Sequence, residues 1–302
     1  MPLTYLLNPS KRIFYLYAAS SIVLAYYVYH QSKIQYSFLK YIFNKKVWGS
    51  KSAMVDYSLV FFNGLIKVFL IAPYVVFGLY ISIYVNDFLV SLFSYPSFSL
   101  SPTLTLVLFT LSITILTDLA TYLVHLGFHK IPLFWEFHKV HHSATTLNPI
   151  TQYRIHPIEL IINNIKGILV FGITTGIFDY LSNHQVHKMM FLGANVFSFV
   201  FLFWGANLRH SHVKLKYFNF LEFIFISPFQ HQIHHSNRKV HFDKNLGAKL
   251  ALWDWMFGTL VRSEEVGKIE FGLGKEENTK FSSFWKNLIQ PFIGVVRMVW
   301  KN

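Results

Sequence analysis

The sequence contains no cysteine. That absence excludes disulfides, thiolate zinc sites, iron–sulfur clusters and a cysteine nucleophile, so any metal must be held by His, Asp or Glu. It says nothing about compartment, because oxidising and reducing compartments both hold cysteine-free proteins. Charge is scarce as well: Asp, Glu, Lys and Arg supply only 14% of the 302 residues, and acids number 14 against 27 Lys and Arg. There is no Gly-x-Gly-x-x-Gly run for a dinucleotide and no His-Glu-x-x-His for a zinc peptidase. The Glu-x-x-His of carboxylate-rich di-iron bundles is missing too. No internal repeat or low-complexity linker interrupts the chain.

What fills the sequence is apolar. Hydrophobic residues make up 53% and aromatics 19%, too much apolar surface for an ordinary soluble domain, so a bilayer is the natural solvent. The net charge of +13 does not form a basic stripe of the kind that binds nucleic acid, and no nucleic-acid partner is expected. Lys and Arg instead cluster between apolar runs, which suits anionic headgroups. Apolar stretches at 13–29, 57–85, 103–125, 158–180 and 187–206 approach the roughly 20 residues needed to cross a bilayer. They predict an all-α integral membrane protein with four to five transmembrane helices, five being the working count. The start, with Lys11-Arg12 before the first run, has the outline of a signal peptide. It is rich in Tyr and lacks a small-residue cleavage site, so it is read as a retained anchor. In the second run Pro73 and Gly78 predict a kinked helix or a short hairpin, with Lys67 snorkelling or paired.

Loop charges orient these crossings. Segment 30–56 carries Lys33, Lys40, Lys45, Lys46 and Lys51, whereas 86–102 has no Lys or Arg, so the first is placed in the cytosol and the second opposite. Counting from there puts 126–157 and everything from Arg209 onward on the cytosolic side, as a helical cap. Every major histidine cluster falls in these two regions, although the histidines played no part in the assignment.

The histidines repeat with a helical period. His125 and His129 are four apart and share one helix face, where two imidazoles can bind one metal. His138, His141 and His142 fall within about a third of a helix circumference, and His231, His234 and His235 repeat that spacing. Neutral imidazole is a good ligand for first-row metals, and clustered unpaired histidines beside a membrane are costly unless a metal compensates them.

Read with their neighbours, these boxes resemble the fatty acid hydroxylase superfamily of sterol desaturases and lipid hydroxylases. Asp118, Tyr122, His125 and His129 are similar to its Asp-x3-Tyr-x2-His-x3-His stretch, and Phe134 to Ser143 to its central box. Tyr153 to Pro157 resembles its Arg-x-His-Pro element. His210-Ser211-His212, Ser227 to Ser236, Asn245 to Gly247 and Trp253 to Thr259 fit its C-terminal half, so about 103–262 is covered. The resemblance implies a cytosolic cap holding a dimetal site with two iron ions, which zinc can replace in purified material, and an O2-dependent reaction on a lipid. It carries over His125, His129, His138, His141, His142, His210, His231, His234 and His235 as ligands. His156 and His212 compete for a tenth place; His156 is favoured for its Arg-x-His-Pro context, and His212 suits a supporting position. Leu126 departs from the family, which usually has Arg there, so a salt bridge or cap contact is missing.

Asp118 near the His125 face either orients that imidazole or makes a helix-packing hydrogen bond. Glu136 reads as an exposed loop charge and Asp254 as a residue fixing the cap. His30, His184, His187 and His241 lie outside the box spacings and read as structural. Three regions are expected: N-terminal membrane anchor helices over 1–102, a catalytic domain over 103–262 and a C-terminal cytosolic tail over 263–302. The function expected is a non-haem di-iron monooxygenase hydroxylating a fatty acyl, sterol or related lipid. The electrons would come from a separate donor, a cytochrome b5, ferredoxin or reductase, and the address would be a bacterial inner membrane or the endoplasmic reticulum. A lipid or sterol desaturase with the same site is the alternative, and a histidine-rich metal transporter is the alternative from another class.

Overall fold

A computed structural model describes residues 6–184, 186, 190–191 and 194–300; His187 lies outside the described residues. The α-helices are α1 (Tyr15–Gln31), α2 (Phe38–Ile42), α3 (Lys45–Trp48), α4 (Lys51–Ile66), α5 (Phe77–Phe93), α6 (Pro102–Lys130), α7 (Pro132–His142), α8 (Pro157–Leu181), α9 (Val196–Phe203), α10 (Pro228–His234), α11 (Leu252–Met256), α12 (Lys275–Lys280) and α13 (Phe284–Val299). A two-residue antiparallel ladder, β1 (Met190–Phe191) with β2 (Ala194–Asn195), pairs Met190 with Asn195 ahead of α9.

Among the described residues three helical runs are long and apolar enough to cross a membrane: Lys51–Phe93, Pro102–Lys130 and Pro157–Leu181, of 43, 29 and 25 residues. Their outward faces carry bare aromatics such as Phe61, Phe69 and Tyr84, which suits contact with lipid. The first run is the kinked helix expected at Pro73. Proline removes an N–H and crowds the preceding turn, and here the ladder opens into a π turn over Lys67–Ile71 and a 3-10 turn over Ala72–Tyr74 before α5 begins. The run at 13–29 gives the 17-residue α1, whereas the run at 187–206 differs from expectation. Among the described residues of the second, the helix is the eight-residue α9, only about 12 Å long against a core of about 30 Å.

Small residues bring α5 and α8 together. A Cβ on Gly172 would lie 2.7 Å from the Ile81 side chain and one on Gly176 would lie 2.5 Å from Ser82 O, so only glycine allows this approach. Helix starts are marked in the sequence. Ser101 caps α6 ahead of Pro102, and Ser227 and Gln230 form a reciprocal capping box ahead of Pro228. Pro132 ends α6 and opens α7, turning the chain so that the last turns of α6 face α7. In the C-terminal region, Phe281 is buried with Val140 of α7 and with Val55 and Leu59 of α4.

Candidate metal centre

Nine histidines converge in two adjoining groups: His125, His129, His138, His142 and His234 in one, and His141, His210, His231 and His235 in the other, with candidate ligand atoms within 4.8 Å of one another in each. They come from the end of α6, from α7, from the 3-10 turn before His210 and from α10. Successive residues on a helix point about 100° apart, so His141 and His142 serve different groups, as do His234 and His235. The rings of His142 and His235 meet at 4.8 Å between centroids, where the groups adjoin.

The protons show what these groups can hold. His125 Nδ1 donates to Leu246 O at 2.7 Å, His234 Nδ1 to Lys244 O at 2.9 Å and His129 Nδ1 to Asp243 Oδ1 at 3.2 Å. A neutral imidazole has one N–H, so each of these rings turns a bare Nε2 lone pair inward. The Nε2 atoms of His129, His142 and His234 are buried and have no hydrogen-bond partner among the described residues. His125 Nε2 and His138 Nε2 stand 3.1 Å apart, and His138 Nδ1 faces Glu159 Oε2 at 3.1 Å. In the second group His141 donates through Nδ1 to Arg154 O at 3.0 Å, leaving its Nε2 at 3.2 Å from His210 Nε2. Lone pairs aimed at one another in a buried site repel unless a cation lies between them. Metal–nitrogen bonds of about 2.0–2.1 Å place adjacent ligand nitrogens about 2.9–3.4 Å apart, which matches these separations. The donor set fits a pair of imidazole-bound metal ions.

The rings are neutral at ordinary pH. Burial pushes His138 down to about 3 and His141 to about 4. His142, His210, His231, His234 and His235 are lowered well below the usual imidazole value, first by burial and then by neighbouring rings and, at His210 and His231, by Arg209. Asp243 is also lowered, to about 2, chiefly through its hydrogen bond from His129 and also through Lys130, which keeps it a carboxylate.

Neither candidate for a tenth ligand enters the groups. His156 caps α8: its Nδ1 accepts from Ile158 N at 3.1 Å and its Nε2 donates to Leu288 O at 3.2 Å, so both ring nitrogens are committed. His212 Nε2 donates to Tyr41 O at 2.7 Å. Asp118 contacts no histidine. It accepts from the backbone N–H groups of Lys249 and Leu250 and from Trp253 Nε1, each at 3.0 Å, which is the helix-packing alternative. Glu136 stands on α7, not in a loop, and pairs with Lys139 at 2.5 Å. Asp254 accepts from Leu246 N at 2.8 Å and Gly247 N at 2.7 Å, fixing the loop whose carbonyl takes the His125 proton. Leu126 packs against the cluster of Tyr122, Leu246 and Trp253.

Supports that sequence reasoning missed are Asp243, Glu159, Arg154 and Arg209. Arg154 is fully buried, pairs with Asp56 at 3.0 Å and donates to Val140 O, which seats α7 while its own carbonyl receives His141. Arg209 donates to His231 Nδ1 at 2.9 Å. Glu159 carried a signal, a carboxylate in an apolar helix two residues past Pro157; Asp243 and Arg209 had none. A cavity of about 380 Å³ opens onto the first group, lined by His129, His142 and His234, by the apolar Trp135, Phe242 and Leu273, and by the charged Lys139, Asp243 and Glu277. His30, His184 and His241 stay outside both groups.

The sequence model of the family described as "Fatty acid hydroxylase" matches residues 110–259, a span containing all nine histidines. Alkylglycerol monooxygenase of Caenorhabditis elegans is 27% identical over 178 residues, 57% of this chain and 32% of that protein. Ornithine lipid hydroxylase OlsE of Rhizobium tropici is 27% identical over 179 residues, 59% of this chain and 48% of that one. Lathosterol oxidase of Rattus norvegicus is 25% identical over 154 residues, 51% and 45% of the two chains. The matched stretch thus spans half or less of each relative. No solved structure matches at a comparable level.

Proposed function

Because residues 110–259 belong to the fatty acid hydroxylase family, we propose that this chain is a membrane-bound, O2-dependent oxidoreductase whose two histidine groups hold iron and which hydroxylates a C–H bond of a lipid. The observation that carries this reading is the pair of adjoining imidazole groups, seven of their nine rings buried, beside a cavity lined in part by Trp135, Phe242 and Leu273. Iron bound there would supply the reduction of O2 that oxidises an unactivated C–H bond, consuming two electrons from a separate donor and releasing water with the alcohol.

The protein's own part is positional. His125, His234, His141 and His129, whose Nδ1–H groups are fixed by Leu246, Lys244, Arg154 and Asp243, present Nε2 and release no proton on binding an ion through it. Trp135, Phe242 and Leu273 give the cavity an apolar side suited to an alkyl segment, with Lys139, Asp243 and Glu277 on the rest of its lining. Relatives named for alkylglycerol, ornithine lipid and lathosterol support a lipid substrate. The histidines gather at one end of the spanning helices instead of lining a path through them, which favours an enzyme over a transporter. The basic loops that share this end support a cytosolic site.

The test is expression in a host without homologues, under labelled O2, with metal analysis of the purified protein and mass spectrometry of the lipids. Two iron ions per chain and one labelled oxygen in a lipid alcohol are expected. A labelled-oxygen-free product bearing a new double bond would replace hydroxylation with desaturation, and an unchanged lipidome with metal flux across vesicles would reject the enzyme.

A further inference from the structure

Helix α13 holds α7 with one face and exposes the other. Trp285, Ile289, Phe292, Ile293, Val296 and Val299 are each 38–68% exposed, and at 100° per residue they fall within an arc of about 120°. Trp300, just past the helix, continues the stripe at 86% exposure. The opposite face is fixed. Asn287 is fully buried, donates to Phe281 O and accepts from Ser143 Oγ of the histidine box at 3.3 Å. Leu288 O receives His156 Nε2, and a Cβ on Gly294 would lie 2.0 Å from Glu136 Oε2, so the helix sits hard against α7. The helix cannot roll to hide its stripe without breaking these contacts.

Position and charge identify what covers it. Phe284 meets Phe62 of the Lys51–Phe93 run at 5.4 Å, and Phe292 meets His156, the residue that starts α8, at 5.4 Å. The helix therefore lies across the end of the spanning bundle that carries the histidines, continuous with its lipid-facing surface. Lys286 and Arg297 are exposed along one edge of the stripe, the helix contains no acid, and tryptophans stand at both ends. An apolar stripe edged by cations and bracketed by Trp matches the boundary between acyl chains and anionic headgroups.

We propose that α13 is an interfacial helix whose partner is the anionic phospholipid surface of the leaflet on the histidine side, and that it seats α7 against that surface. This rests on the membrane reading of the chain and is independent of the metal and the reaction.

The absence of cysteine makes the test direct. Single cysteines replacing Trp285, Ile289 and Val296 on the stripe, and Lys286 and Arg297 at its edge, are spin-labelled in the full chain in nanodiscs containing phosphatidylglycerol. Collision with O2, which concentrates in lipid, is compared with collision with a water-soluble nickel chelate. The O2-to-nickel ratio at the stripe should exceed that at Lys286 and Arg297 by about fivefold or more, as expected for a helix half sunk in the interface. Equal ratios at stripe and edge overturn the proposal, and so does protection of the stripe from both reagents, which means a protein covers it. Photoactivatable phosphatidylglycerol tests the unmodified chain: crosslinks in 285–300 are expected, and their absence while the spanning helices are labelled overturns it.

Discussion

Replacing Asp243 by Asn removes one charge and almost no volume from beside His129. The carboxylate accepts from His129 Nδ1 at 3.2 Å and binds Lys130 at 2.6 Å, and its side chain is 33% exposed. It fixes the tautomer that turns His129 Nε2 inward and offsets the charge of an ion below it. Losing such a partner typically costs ten- to a hundredfold in metal affinity. Partial exposure and the competing Lys130 weaken the contact, so about tenfold, or about 1.4 kcal/mol, is expected for D243N. His129 belongs only to the first group, so the loss should fall on one ion of the two. Competition of metal-free protein against a chromophoric Fe(II) chelator measures it, with H210A as the converse variant that weakens the other ion. If both ions bind to D243N within twofold of the parent affinity, or if D243N and H210A weaken the same ion, the assignment of ligands to two groups is wrong.

H156A should keep two metals per chain and lose about 1 kcal/mol of thermal stability, the usual cost of a removed N-cap; loss of one metal ion would instead return His156 to the ligand set. G176L forces a side chain into Ser82 O and Val85 and should destabilise the α5–α8 pair by about 2 kcal/mol or more, read as a lowered melting midpoint in nanodiscs; an unchanged midpoint would refute that close approach. Metal-free protein should lose stability as pH falls from about 6.5 towards 4. Folded rings such as His138 and His141 are held near 3 and 4 while unfolded imidazole protonates near 6.5, so the unfolded state binds more protons across that window. A flat melting profile from pH 6.5 to 4.5 would contradict it.

The histidine spacing was legible because helix period is local. His125 with His129 and the two triplets needed only 3.6 residues per turn to converge on their faces, and the structure brings all of them together. His156 stands outside the groups for a local reason too: a histidine before proline is also a helix cap, and its Nδ1 accepts from Ile158 N. Asp243 and Arg209 meet His129 and His231 through loops, and Asp243 does so at a φ of 57° that no pattern announces. Apolar runs located the three long helices, but run length alone overstated the stretch at 187–206, where the described helix is eight residues. Asp118 was visible as a carboxylate in an apolar helix, yet its partners, two backbone N–H groups and the Trp253 indole, lie more than a hundred residues away.

Alternation along α7 and α10 carries one more consequence. Since His141 and His142, like His234 and His235, are joined by a single peptide, the gap between the two clusters is set by covalent geometry and not by how side chains are chosen. Loops above the bay can lengthen, shorten or change their residues to suit another guest without altering that gap. Inserting one residue between the first two histidines of either triplet, by contrast, would rotate the other two by about 100° and so displace one ligand from each half.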